Sequence, residues 1–122
     1  VVGDRRCVVH GTVPSLANFM ADHELALVGG GITLFEAAAC ALPTLAVASE
    51  DFEETNIQWA EDRGITRMAG AGQPSDSGAI YDSARSLLDN RSERLAMAEA
   101  GPRLVDGKGS DRIVDIIRGL CN

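Results

Sequence analysis

Gly29, Gly30 and Gly31 stand between an apolar run, Leu25-Ala26-Leu27-Val28, and an apolar stretch over 32–42 whose only charge is Glu36. A strand that ends in glycines and opens a helix leaves bare backbone N–H groups at a positive helix end, where an anion can sit. A lone carboxylate one turn further on is costly in apolar surroundings unless something satisfies it. Phosphate at the amides and sugar hydroxyls at the carboxylate would meet both demands, which is the chemistry of a nucleotide. The competing account is a glycine turn needed only for tight packing, with Glu36 bonded to nearby backbone.

Helix spacing makes the first account geometric. Thr33 and Glu36 share a face with Cys40, while Ile32, Phe35 and Ala39 form a neighbouring stripe that can pack on a sheet. Glu36 lies roughly 7 Å from the amide cluster at 1.5 Å rise per residue. That matches the step from a diphosphate to ribose hydroxyls, and a carboxylate can accept from both hydroxyls through charge-assisted bonds. The three glycines let the backbone close on phosphate, and Thr33 adds a donor.

The elements that must hold these residues are read from periodicity and punctuation. Cys7-Val8-Val9-His10 reads as a short buried strand closed by Gly11, and the Val1-Val2 start could end a longer one. A helix begins at Pro14-Ser15, carries Leu16, Phe19 and Met20 on one stripe, and ends near Asp22. Strand 24–28, the glycine turn, helix 32–42 halted by Pro43, and strand 44–48 follow. That last strand shows no polar alternation, which favours a parallel sheet covered on both faces. An acidic helix opens within 50–54 and runs to about Arg63, Gly64 ends it, and 65–68 is the last strand. A polar loop over 70–78 leads to helices 79–88, 91–100 and 111–120. The last has Ser110 as its expected N-cap and is expected to bury Ile113, Ile116, Ile117 and Leu120. Helices alternating with short buried strands predict an α/β, doubly wound parallel sheet.

Composition narrows the functions. At 122 residues the chain is expected to be one domain, and its formal charge of −7 argues against nucleic-acid or anionic-membrane binding. No apolar run approaches the roughly 20 residues of a membrane span. Cys7, Cys40 and Cys121 are odd in number and far apart, as reduced thiols of a cytoplasmic protein would be. The start without Met suggests a fragment of something larger.

Other side chains invite a role. His10 ends its strand at the ligand edge, where it either touches base or phosphate or is simply structural; His23 fits a helix C-terminus. Glu50, Asp51, Glu53 and Glu54 are expected to stabilise a helix start rather than hold a metal. Gly107-Lys108-Gly109-Ser110 lacks the phosphate-loop spacing and reads as a loop into the last helix. Cys40 is expected to be inert core, and Phe52 and Trp59 are expected to be buried unless they line a sugar pocket.

The stretch from about Val13 to Ile117 resembles the C-terminal half of GT-B nucleotide-sugar enzymes. The likeness is to the peptidoglycan N-acetylglucosaminyltransferase group, and more closely to the UDP-sugar hydrolases of pseudaminic acid synthesis and the related spore-coat polysaccharide biosynthesis proteins. It is carried by Leu16-Ala17-Asn18-Phe19-Met20-Ala21-Asp22, Gly30-Gly31-Ile32-Thr33-Leu34-Phe35-Glu36, Ala41-Leu42-Pro43-Thr44, Asn56 within Glu53-Glu54-Thr55-Asn56, and Asp106-Gly107-Lys108-Gly109-Ser110-Asp111-Arg112-Ile113, in that order.

The resemblance implies a Rossmann-like half-domain that binds UDP or a UDP-sugar. Glu36 stands at the ribose-binding position, and Gly29, Gly30, Gly31, Ile32 and Thr33 stand at the diphosphate contacts. Asn56 falls in the donor-sugar region, and His10 to Val13 near the base. No cofactor or metal is implied. Glu53 departs from the pattern, since many members carry glutamine there. Gly29 replaces a serine frequent in the transferases. The first strand–helix unit of the half-domain is lacking, as is the N-terminal half with its acceptor site and catalytic base. The chain alone is therefore expected not to turn over substrate. A non-catalytic nucleotide-binding or assembly module, perhaps a homo-oligomer formed through sheet edges, is the alternative.

Overall fold

The computed structural model describes residues 6–69 and 76–121. The strand tail expected at 1–2 and residues 70–75 of the expected polar loop lie outside them. Among the described residues the order is α1 (Leu16–Met20), β1 (Ala26–Val28), α2 (Ile32–Ala39), β2 (Thr44–Ala46), α3 (Asp51–Glu61), β3 (Arg67–Met68), α4 (Ser77–Asp89), α5 (Arg91–Leu104) and α6 (Gly109–Leu120). The strands form one parallel sheet in the order β1-β2-β3, with Leu27 beside Leu45 and Ala46 beside Met68. The expected α/β parallel architecture is what the chain adopts, with strands shorter than their apolar runs.

β2 is the central strand, and all three of its residues are buried, as the missing polar alternation requires. Its Thr44 hydroxyl donates to Thr66 Oγ1 at 2.7 Å, and the Thr66 hydroxyl donates to the Thr44 carbonyl at 3.2 Å. Both threonines are buried, so this exchange leaves neither hydroxyl unsatisfied.

The face of α2 that enters the core consists of Leu34, Ala37 and Ala38. Of the expected stripe of Ile32, Phe35 and Ala39, Phe35 packs half-buried against this core, whereas Ile32 is 77% exposed. The small alanines let another helix close in, and α5 takes that place. A Cβ on Gly101 would stand 2.2 Å from the Ala38 carbonyl oxygen, so the two backbones touch. α2 then ends in a Schellman closure: Leu42 N–H donates to Ala37 O at 3.0 Å and Ala41 N–H to Ala38 O at 3.0 Å. The left-handed position that glycine usually fills holds Ala41, at φ 58°.

α5 runs past Gly101 and Pro102 to Leu104, beyond its expected end at Ala100. Proline in the last turn deletes only one backbone donor, and Val105 N–H closes the end on Gly101 O at 2.8 Å. Arg67 ties β3 to the helical layer by pairing with Glu93 of α5 and donating to Ser83 O of α4 at 3.3 Å.

Other expectations fail outright. Residues 7–10 form no strand and are exposed. A short apolar run needs a hydrogen-bonding neighbour to become a strand, and residues 7–10 have none in the sheet. α6 is amphipathic, yet it buries no residue: Ile113 is 59% exposed, Ile116 63%, Ile117 54% and Leu120 82%. Its first residue is Gly109, and Lys108, not Ser110, occupies the cap position.

Candidate functional site

β1 delivers the chain to the glycine turn, and α2 opens from Gly31 with no side-chain cap and no acid in its first turn. The first amides of a helix have no intrahelical acceptor, so those of Ile32 and Thr33 are available to a ligand. A Cβ built on Gly31 meets nothing within 4 Å, which leaves that side of the turn open.

Beside the turn lies a cavity of about 630 Å³. It is lined by Val8, His10 and Val13, by Leu16 and Phe19 of α1, by Leu27 and Val28 of β1, and by Thr33 of α2. Its size is that of a small-molecule site, and its mainly apolar lining suits a flat heterocycle as part of a larger ligand. His10 stands edge-on to Phe19, with centroids 4.6 Å apart. The structure thus brings three expected residues, His10, Val13 and Thr33, to one cavity. Leu16, Phe19 and Leu27 join them; apolar periodicity places such side chains in a core and carries no sign of a ligand.

Glu36 does not line this cavity. It is solvent-exposed on α2, one turn beyond Thr33, because the apolar residues around it in sequence (Leu34, Ala37 and Ala38) occupy the opposite face. Glu36 is therefore not the costly buried acid that its apolar neighbours in sequence led one to expect. It remains free to accept hydroxyl donors from a ligand lying along the turn.

Glu53 and Asn56 reach the turn from α3. Asn56 Nδ2 donates to Gly30 O at 3.2 Å. The Glu53 carboxylate accepts from Ser49 N–H at 2.9 Å and from the Ser49 hydroxyl at 2.7 Å. Ser49 N–H, then the Ser49 hydroxyl, hold the Glu53 carboxyl below the usual carboxylate range; the Glu50 and Gly30 backbones assist, and partial desolvation opposes. A Cβ on Gly29 would lie 3.2 Å from Glu53 Oε1, and one on Gly30 would lie 2.7 Å from both the Glu53 Cβ and its carbonyl oxygen. Gly30 is therefore a packing glycine. In the sequence the only signal for Ser49 is a hydroxyl four residues before an acid.

Elsewhere the tempting residues take quieter places. His23 Nδ1 lies 2.5 Å from Phe19 O, at the end of α1. Phe52 is 68% exposed, against the expectation of burial, and Trp59 is 41% exposed, edge-on to Phe35 and against Arg63. Asp106 closes the loop into α6 by accepting from Arg112 and from Lys108 N–H, which brings its carboxyl down to about 2. Cys7, Cys40 and Cys121 are free thiols, and Cys40 is half-buried. Among the described residues, no group of three or more His, Cys, Asp and Glu side chains is arranged to hold a metal, and no helix is long and apolar enough to cross a membrane.

Comparison with known proteins supports the architecture. No family model matches the chain. Over 106 residues, 86% of its length, it is homologous at 30% identity to the spore coat polysaccharide biosynthesis protein SpsG of Bacillus subtilis, and it spans 31% of that protein. A solved structure from Listeria monocytogenes, described as a UDP-N-acetylglucosamine 2-epimerase, matches with a TM-score of 0.64 at 24% identity. That match covers 83% of this chain and 25% of the Listeria protein. The fold is therefore Rossmann-like, of the GT-B type, and the homology is to a polysaccharide-biosynthesis protein.

Proposed function

We propose that this chain is the UDP- or UDP-sugar-binding domain of an enzyme of bacterial polysaccharide or nonulosonic-acid synthesis. The enzyme would act by glycosyl transfer or by hydrolysis of the sugar–diphosphate linkage, with its catalytic base and second substrate site on a further domain. The observation that carries this reading is the uncapped start of α2 beside a cavity in the size range of small-molecule sites. The base would enter the cavity beside His10 and Val13, the diphosphate would meet the amides of residues 31–33, and Glu36 would accept the ribose hydroxyls. Backbone N–H groups fixed by folding stabilise a departing diphosphate without reorganising during the reaction. Three free thiols suit a reducing, cytoplasmic setting.

Calorimetric titration with UDP, UDP-N-acetylglucosamine and ADP tests this. Submillimolar uridine binding is expected, with the affinity falling by about tenfold or more in Glu36→Ala, the worth of a charge-assisted bond. An unchanged affinity in that variant removes Glu36 from the ribose. No nucleotide binding at all favours an assembly module instead, a reading for which the uncovered apolar face of α6 speaks.

A further inference from the structure

Glu53 is an acid fixed where an anion is expected. Ser49 holds its carboxylate through two hydrogen bonds, its Oε1 closes on Gly29, and its own backbone packs against Gly30. Asn56, one turn further along α3, ties the same glycine from its carbonyl side. Swinging the carboxylate away would break both bonds to Ser49, and its depressed pKa keeps it charged at neutral pH. A ligand phosphate at the first amides of α2 would share the turn with a permanent negative charge.

We propose that Glu53 is a specificity-determining residue that sorts nucleoside diphosphates by the charge of their terminal phosphate, favouring one esterified by a sugar over the free diphosphate. This rests on the nucleotide-binding reading above. A free terminal phosphate has two ionisable oxygens and a second pKa near 6, so it is close to dianionic at pH 7.5. An esterified one has a single ionisable oxygen and carries one charge. Each extra charge roughly 5 Å from the carboxylate, at an effective dielectric of about 40 to 80, weakens binding by about four- to fifteenfold. Glutamine at this position would keep the shape and an acceptor for Ser49 but would not discriminate. In an enzyme that cleaves the sugar–diphosphate bond, the same repulsion would hasten departure of the nucleoside diphosphate product.

The test is calorimetry of the wild type, Glu53→Gln and Glu53→Asp with UDP and with UDP-N-acetylglucosamine, at 20 and 500 mM NaCl. The ratio of the two dissociation constants is the readout, because contacts to the sugar cancel when it is compared between variants. Glu53→Gln is expected to shift that ratio toward UDP by about four- to fifteenfold at low salt. Glu53→Asp should keep the ratio near wild type, and high salt should shrink the wild-type preference by screening. Both ligands binding with one ratio in all three proteins would overturn the role of Glu53 while leaving the nucleotide site standing. Neither ligand binding to any of them overturns the site and this inference together. If Glu53→Gln fails to fold, the wild type still decides: a ratio that salt does not move sinks the proposal.

Discussion

A methyl group on Gly30 would stand 2.7 Å from the Glu53 carbonyl oxygen and 2.9 Å from Ile57 Cγ1, whereas one on Gly31 would meet nothing within 4 Å. Neighbouring glycines that look equivalent in the sequence therefore have different jobs. Gly30→Ala is expected to lose about 1–3 kcal/mol in urea unfolding, since backbone and a buried isoleucine must give way. Gly31→Ala should stay within about 0.5 kcal/mol of wild type. That variant should nevertheless bind UDP about tenfold more weakly, because its methyl occupies the open side of the turn, a loss of about 1.4 kcal/mol. Full affinity in Gly31→Ala would take the turn out of the ligand site. The glycine turn itself was legible from residues 25–36. The approach of Glu53 and Asn56 to it could be expected only from the family resemblance, because nothing local records that α3 closes over a turn more than twenty residues earlier.

At the scale of elements, α2 and α5 cross with their backbones in contact at Ala38 and Gly101. With the Gly101 Cβ position 2.2 Å from Ala38 O, an added methyl cannot fit without separating the helices. Gly101→Ala should therefore cost about 3 kcal/mol and lower the thermal midpoint by about 10 °C, measured by circular dichroism. A midpoint within a degree or two of wild type would mean the crossing yields easily. In the sequence, Gly101-Pro102 reads as a helix stop, because a local rule sees a breaker pair and not the partner helix that needs a side-chain-free position. Most other boundaries were legible to within a few residues, for Pro43 and Gly64 act through their own backbone and Asn90 caps its neighbouring helix by accepting from Glu93 N–H.

For the whole molecule, the succession of strands and helices was written in apolar periodicity, but what covers each apolar face was not. α6 has the strongest such pattern and no buried residue. A stripe of isoleucines states a demand for cover and says nothing of what supplies it. The same holds for Val8 and Val9, 75% and 79% exposed where a strand was expected. Ile116→Asp should consequently change unfolding free energy by no more than about 0.5 kcal/mol. Ile57→Ala, in the fully buried core, should cost about 2–5 kcal/mol. Comparable losses from the two variants in urea titrations would show that α6 packs against the body in solution.

The double anchorage of α2 has a consequence for recognition. Its far end is locked by the crossing at Ala38 and by the turn through Ala41, and its near end is wedged at Gly30. Folding has thus already met the entropic cost of aiming its leading amides. A guest arriving there finds a preorganised receptor, and little of its affinity is lost to ordering the host.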